Sequence, residues 1–93
     1  MDVNAKRITR AAGELAPMAE PSDFRRTFAR NLRSAREEVG ISQRELAKLA
    51  GVSQRYISEI ETSSKNVSMD VITVLSRHVG KSEIDLLTPQ VKR

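Results

Sequence analysis

The sequence predicts an all-α fold with a helix-turn-helix at its centre. Apolar residues recur at spacings of three and four along much of the chain, which is the period of an amphipathic helix. In the segment from Gln43 to Glu61, QRELAKLAGVSQRYISEIE, two such patterns meet at Gly51, and glycine tolerates the positive φ of a tight turn. With 93 residues, 39% of them hydrophobic and 3% aromatic, we expect one domain with an aliphatic core.

Composition excludes several classes of protein. The chain contains no cysteine, which excludes disulfides and thiolate metal sites, and its one histidine leaves no zinc constellation. No apolar run approaches the roughly 20 residues that a membrane-spanning helix needs. The first residues also lack the continuous apolar stretch of a secretion signal. We therefore expect a soluble, cytoplasmic protein.

The charge balance points to an anionic partner. The net charge is +4, from 16 Lys and Arg residues against 12 Asp and Glu residues. Residues 1–22 carry three charges of each sign, so the whole excess lies in residues 23–93, together with the helix-turn-helix. A basic balance favours nucleic acid or an anionic membrane surface.

Residues 1–22 are predicted to form an N-terminal tail, with the domain over residues 23–88 and a C-terminal tail over residues 89–93. Apolar residues between Ile8 and Leu15 have the spacing of a short helix, which Gly13 weakens and Pro17 ends. This pattern is compatible with disorder, with a helix that packs on a partner subunit, and with a basic arm that touches DNA phosphates.

The first helix is predicted to begin at Ser22, a residue type that caps helix N-termini, and to end near Gly40. One apolar stripe at helical spacing runs along it and comprises Phe24, Phe28, Leu32, Ala35 and Val39.

Arginines cover the rest of this helix. We interpret Arg25, Arg26 and Arg30 as a solvated face. Arg36 differs from them because it lies one turn from Leu32, at the edge of the apolar stripe. We predict that its guanidinium is partly buried and needs a carboxylate.

The second helix is predicted to start after Ser42, with Glu45 three residues later completing a capping box. Gln43 then lies in the first turn. Its amide and the free backbone N–H groups of the helix end can bind one phosphate, because a helix N-terminus attracts anions.

The third helix, from Ser53 to about Thr62, is the candidate for reading bases. Ile57 and Ile60 are predicted to face the core, which leaves four polar side chains outward: Gln54, Arg55, Ser58 and Glu59. Arg pairs with guanine, Gln with adenine, and Glu accepts from cytosine. Tyr56 can press on a thymine methyl, donate to a phosphate, or pack half-exposed.

The last two helices are predicted to run from the Ser68 cap to Gly80 and from Ser82 to Leu87. The core stripe of the fourth helix comprises Met69, Ile72, Leu75 and Val79. Val71, Val74 and His78 form a second stripe on a neighbouring face, which is more apolar surface than a small monomer requires and indicates a partner surface. The fifth helix supplies Ile84, Leu86 and Leu87.

Nothing in the sequence indicates catalysis. It contains no glycine-rich phosphate loop and no histidine in the context of a catalytic triad. We therefore expect neither an enzyme nor a cofactor, metal or small-molecule ligand.

Residues 28–87 resemble the XRE family of helix-turn-helix regulators, which includes phage repressors and Cro. The resemblance lies in ARNLRSAREEVGISQRELAKLAGVSQRYISEIE, in KNVSMDVI and in HVGKSEIDLL. It implies a compact five-helix bundle, the lambda-repressor-like DNA-binding domain, that binds operator DNA as a dimer with its third helix in the major groove. This implies base contacts by Ser53, Gln54, Arg55 and Glu59, and phosphate contacts by Gln43, Lys65 and Asn66. It also implies a structural ion pair between Arg36 and Glu61.

The resemblance implies that the end of the domain contributes to a homodimer. Our candidate residues for that surface are Val71, Val74, Ile84 and Leu87. We add Ser58 to the base-reading residues because it faces outward on the third helix, and Tyr56 to the phosphate contacts because its hydroxyl can donate to a phosphate.

The chain departs from the family pattern after the third helix. Ser63 stands where the family commonly has glycine, and Val67 stands where proline is common. The loop that carries Lys65 and Asn66 is therefore expected to follow its own path. Its N-V-S version, residues 66–68, also occurs in the small controller proteins of restriction-modification systems.

Three functions fit this sequence. The leading interpretation is a homodimeric transcriptional regulator that binds double-stranded DNA at a (pseudo)palindromic operator. The second is an antitoxin-like protein that binds DNA and also a toxin, through its tail or the Val71 face. The third is a protein-interaction module that keeps the fold without reading DNA.

Overall fold

The structure is a computed structural model that describes residues 22–90, and within this range it contains five α-helices and no strand. The helices are α1 (Asp23–Val39), α2 (Gln43–Ala50), α3 (Gln54–Glu61), α4 (Met69–Val79) and α5 (Glu83–Leu87). The predicted all-α fold with a central helix-turn-helix is confirmed. The predictions for residues 1–21 and 91–93 lie outside the described residues.

Every helix of the described region begins after a serine whose hydroxyl accepts the N–H three residues later. At α2 the cap is reciprocal: Glu45 N–H donates to Ser42 Oγ at 3.0 Å, and Ser42 N–H donates to Glu45 Oε1 at 2.7 Å. These bonds satisfy backbone donors that a helix start otherwise leaves unpaired. Helices α1, α2 and α4 end at glycines. The helix boundaries are therefore determined by local hydrogen bonds.

The five helices surround one aliphatic core. Helix α1 packs against α3, α4 and α5, and α2 packs against α3 and α4. The buried apolar residues are Phe28, Leu32, Ala35, Leu46, Ala47, Ile57, Ile60, Ile72, Leu75, Val79 and Leu86. Ile57 and Ile60, buried completely, orient α3 so that its opposite face is exposed.

The apolar stripes of the helices include residues that lie outside the core. Phe24 and Val39, predicted to belong to the stripe of α1, are exposed, and Met69, predicted in the core of α4, has 81% of its surface exposed. Leu49 is also exposed. Phe24, Val39 and Met69 lie at or next to a helix end, where the helix extends past its packing partners. The core predictions for Phe24, Val39 and Met69 were wrong for that reason.

The buried Asn31 joins α1 to α5. Its side-chain amide donates to Leu86 O at 2.9 Å and to Thr88 O at 2.8 Å, which satisfies carbonyl groups at the C-terminal end of α5. Lys81, before α5, pairs with Glu38 near the end of α1 at 3.4 Å. Helix α5, only five residues long, therefore depends on α1 for its position.

Candidate nucleic-acid interface

A tight turn at residues 51–53 joins α2 to α3. Gly51 has φ +74° and ψ +30°, a left-handed conformation that glycine adopts without a Cβ penalty. The next N–H, of Val52, donates to Ala47 O at 3.0 Å, and Ser53 then caps α3 by accepting from Tyr56 N–H at 3.0 Å. Ala47, buried in the core, lets the helices approach closely.

The outward face of α3 contains the residues that the sequence assigned to base reading. Ser53, Gln54 and Arg55 are exposed at the start of the helix, while Ser58 and Glu59 are half-buried one turn later. Because Ile57 and Ile60 are fixed in the core, this face has a defined orientation relative to the bundle.

Tyr56 and Gln43 are less free than the other polar candidates. Tyr56 is half-buried and packs against the core, which matches the packing alternative without excluding a role for its hydroxyl. Gln43 Nε2 donates to Glu61 Oε1 at 3.0 Å. An amide group has two hydrogens, so the second remains available for an acceptor such as a phosphate oxygen.

Glu59 lies between two cations of the protein. Arg55 Nε is 3.3 Å from Glu59 Oε2, and Lys65 Nζ is 3.8 Å from Glu59 Oε1. The side chain of Arg55 is 87% exposed, whereas that of Glu59 is 29% exposed. One carboxylate thus lies beside a cation of α3 and beside a cation of the following loop.

Arg36 and Glu61 form the ion pair that the resemblance implies. Arg36 Nε donates to Glu61 Oε2 at 2.7 Å and Nη2 donates to Oε1 at 3.1 Å, while Nη1 donates to Ile41 O at 2.8 Å. The bond to Glu61 raises the pKa of Arg36 above its ordinary value, against the opposing effect of burial. Since Gln43 also binds Glu61, this carboxylate links α1, α2 and α3.

The loop after α3 takes the conformation that a glycine would favour, but with a serine. Ser63 has φ +65° and is the one non-glycine residue with positive φ in the described range. Two contacts stabilise the turn. The hydroxyl groups Thr62 Oγ1 and Ser64 Oγ are 2.9 Å apart, and the backbone N–H of Ser64 donates to Glu59 O at 2.9 Å. The loop therefore continues directly from the end of α3 and presents Lys65 and Asn66 beside it.

Arg25 is a residue of this region that the sequence interpretation missed. It was assigned to a solvated face, but it is half-buried, and its Nη1 donates to Asn66 Oδ1 across 41 residues of sequence. Its Nε is buried without a hydrogen-bond partner in the described region. Its position, one turn before the buried Phe28, is the sequence signal that could have identified it. Arg26 and Arg30 are exposed, as expected.

The described region shows neither a metal site nor a membrane helix. No group of three or more His, Asp or Glu side chains in residues 22–90 is placed to hold a metal ion. None of the five helices is long and apolar enough to cross a bilayer.

Comparison with known families identifies the fold. Residues 32–86, more than half of the chain, match the sequence profile of the helix-turn-helix family. This chain belongs to the XRE-type helix-turn-helix family. The match covers α2, the turn and α3 together with α4 and most of α5.

Individual members of the family resemble the chain over most of its length. Control protein C.SmaI of Serratia marcescens is 32% identical over 68 residues, which cover 73% of this chain and 81% of that protein. The clp gene regulator ClgR of Corynebacterium glutamicum superposes with a TM-score of 0.68 and 35% identity, covering 74% of this chain and 88% of that one.

A restriction-modification controller protein is similar as well. C.AhdI of Aeromonas hydrophila superposes with a TM-score of 0.63 and 31% identity, covering 67% of this chain and 90% of that one. The predicted likeness to controller proteins of restriction-modification systems is thus confirmed at the level of sequence and fold. The chain is a member of a family of helix-turn-helix transcriptional regulators.

Proposed function

We propose that this protein is a sequence-specific DNA-binding transcriptional regulator, without catalytic activity, that acts as a homodimer on a (pseudo)palindromic operator. Residues 23–88 form the DNA-binding domain, with α3 in the major groove. The observation that carries the proposal is the orientation of α3, whose apolar face is buried at Ile57 and Ile60 while Gln54 and Arg55 are exposed at its start. The N-terminal residues of a recognition helix are the ones that contact base edges.

The base-reading residues in this proposal lie along the outward face of α3: Ser53, Gln54, Arg55, Ser58 and Glu59. Arg55 is the principal reader, because its exposed guanidinium can pair bidentately with guanine O6 and N7. A good pair of this kind contributes about 1–3 kcal/mol of discrimination against the wrong base.

Phosphate contacts from the segments before and after α3 fix the register on DNA. These contacts come from Gln43 at the start of α2 and from Lys65 and Asn66 in the loop after α3, with the Tyr56 hydroxyl as a further contact. In support, the Gln43 amide is held by Glu61 and the Asn66 carbonyl by Arg25, so both polar groups have defined positions. Such contacts position the protein but do not discriminate sequence.

The proposed dimer surface combines α4 and α5. Ile84 has 75% of its surface exposed, and Val71, Val74 and Leu87 are half-buried. The two helices are joined by a hydrogen bond of 2.9 Å from Thr73 Oγ1 to Glu83 Oε2. A hydrogen bond from its own backbone N–H, together with that from Thr73, lowers the pKa of Glu83. Apolar side chains exposed on a surface that two connected helices form together support the binding of a protein partner.

A two-fold dimer makes a geometric prediction. It would present its recognition helices to half-sites one turn of DNA apart, about 34 Å. Gel shifts with selected and random duplexes at two salt concentrations test it. We expect the selected duplexes to be palindromes and the affinity to fall steeply with salt, because phosphate contacts release counterions.

One variant sharpens this experiment. Arg55→Ala removes the exposed guanidinium and should relax the preference for one base pair in each half-site without changing thermal stability. Equal loss of affinity on all duplexes would show instead that Arg55 contacts only phosphate. The absence of any binding at low salt would refute the proposal and favour a protein-interaction module.

A further inference from the structure

Glu59 occupies a different position from the other residues of the α3 face. Arg55 is the second residue of α3, whereas Glu59 is the sixth of eight, one turn further from the helix start. Residues at the start of a recognition helix lie deepest in the groove. Glu59 is also less exposed than Arg55, at 29% against 87% of the side chain.

Each carboxylate oxygen of Glu59 lies beside its own cation. Oε2 is 3.3 Å from Arg55 Nε, and Oε1 is 3.8 Å from Lys65 Nζ. A carboxylate close to DNA is repelled by the phosphates, and two protein cations at this distance offset that repulsion. The backbone of Glu59 is held too, since its carbonyl accepts from the N–H and the hydroxyl of Ser64.

We propose that Glu59 reads no base itself and is a positioning residue that orients Arg55 for guanine. This inference rests on the proposed function, and it replaces the base-reading role given there to Glu59 by a positioning role, while the other four residues keep theirs. The contact engages Arg55 at Nε, on the side of the guanidinium. Within residues 22–90 the two terminal nitrogens, Nη1 and Nη2, have no hydrogen-bond partner, so they can form the bidentate pair with guanine O6 and N7 end-on.

The contact between Glu59 and Arg55 affects the discrimination between DNA sequences and not the free energy of unfolding. An exposed pair four residues apart on a helix contributes little to stability. A long arginine side chain, in contrast, loses rotamer freedom when it binds a base, and a contact that restricts it beforehand lowers this loss. Glu59 therefore increases the discrimination that Arg55 achieves.

The test is a set of binding measurements with Glu59→Gln, Arg55→Ala and the double variant. Each protein is titrated against the selected operator and against operators with one base pair changed at every position of the half-site. For Glu59→Gln we expect the discrimination at the base pair that Arg55 reads to fall by about two- to tenfold, the order that immobilising one side chain represents. Affinity for unrelated duplexes should not fall, because one negative charge is removed.

The double variant separates positioning from direct reading. If Glu59 acts through Arg55, Glu59→Gln changes no base preference when Arg55 is already alanine. A base preference that Glu59→Gln still alters in the Arg55→Ala protein would overturn the inference and make Glu59 a reader. Equal binding of the unsubstituted protein to all duplexes would instead refute the proposed function, and this inference with it.

Glu37→Gln is the matched control. Glu37 pairs with Arg33 on α1 four residues apart, and the distance from Arg33 Nε to Glu37 Oε2 is also 3.3 Å. The control removes the same charge from the same kind of pair, away from α3. We expect it to leave every base preference unchanged, and an effect equal to that of Glu59→Gln would overturn the inference.

Discussion

Arg36 and Glu61 are 25 residues apart in sequence and are joined by two hydrogen bonds, from Arg36 Nε at 2.7 Å and from Nη2 at 3.1 Å. Their side chains are only 10% and 3% exposed. Glu61 is the last residue of α3 and Arg36 lies near the end of α1, so this pair connects α3 to the longest helix of the described region.

Arg36→Ala is expected to destabilise the fold strongly. Removing one partner of a buried ion pair leaves the other charge uncompensated, which typically lowers the free energy of unfolding by about 3–5 kcal/mol. Urea unfolding followed by circular dichroism measures the change. The control is Arg33→Ala, which breaks the exposed pair with Glu37 and should change stability by less than about 1 kcal/mol. Similar losses in the two variants would contradict the structural role of Arg36.

The pH dependence of this pair follows from the raised pKa of Arg36. A group whose pKa is higher in the folded state stabilises that state fully at any pH below its unfolded value, and the contribution is lost only as the pH rises through the folded value. We therefore expect the difference in unfolding free energy between the unsubstituted protein and Arg36→Ala to be constant from pH 7 to pH 9. If this difference decreased between pH 7 and pH 9, a titrating group other than Arg36 would determine the strength of the ion pair.

Ser63→Gly is expected to stabilise the protein. Ser63 has φ +65°, and the left-handed region costs a residue with a Cβ about 1–2 kcal/mol. Part of this gain is offset because glycine has more freedom in the unfolded chain, which leaves a net increase of about 0.5–1 kcal/mol.

The adjacent serine provides the control for this substitution. Ser64→Gly removes the hydroxyl that lies 2.9 Å from Thr62 Oγ1, at a residue outside the left-handed region. It should lower the unfolding free energy in the same urea experiment. Stabilisation by Ser64→Gly, or destabilisation by Ser63→Gly, would show that the backbone conformation does not govern this loop.

Arg25→Ala is expected to weaken DNA binding while leaving stability almost unchanged. The variant releases Asn66 from its hydrogen bond, so the loop loses a defined position. It also removes a buried Nε that has no partner in the described region and opposes folding. We expect affinity to fall by about two- to tenfold on selected and random duplexes alike, since one ordered contact is lost.

Arg30→Ala is the control for Arg25, because it removes the same charge from an exposed position on the same helix. Fluorescence anisotropy with labelled duplexes measures both variants at one salt concentration. Equal losses of affinity in the two would mean that Arg25 acts only through its charge, and the loop-positioning role would be rejected.

Asn31→Leu is expected to loosen α5 from the bundle. The substitution keeps the size of the side chain but removes the donor to Leu86 O and Thr88 O. Thr88 O still accepts from Gln90 Nε2 at 2.9 Å, whereas Leu86 O loses the bond from Asn31. The expected loss is about 1–3 kcal/mol of unfolding free energy. Because Ile84 and Leu87 lie on α5, the proposed dimer should also dissociate at a higher protein concentration than the dimer of the unsubstituted protein, as measured by analytical ultracentrifugation.

The control for Asn31 is Ser34→Ala, at an exposed position of α1. It should change neither stability nor the association constant. A dimer that persists in Asn31→Leu while the fold is destabilised would place the dimer surface away from α5.

The sequence alone determined the helices and the buried face of α3. Serine caps at Ser22, Ser42 and Ser53 and the turn at Gly51 were all predicted, because each depends on hydrogen bonds within about four residues of the chain. The face of α3 followed from the periodic spacing of Ile57 and Ile60.

Only the tertiary structure decided which of the remaining residues are buried and which polar groups meet. Phe24 and Met69 fit their stripes but are exposed, since burial depends on where a neighbouring helix ends and not on periodicity. Arg25 contacts Asn66 and Asn31 contacts Leu86 across 41 and 55 residues of sequence. Such contacts depend on the packing of the whole bundle, and no local pattern encodes the distance between two helices.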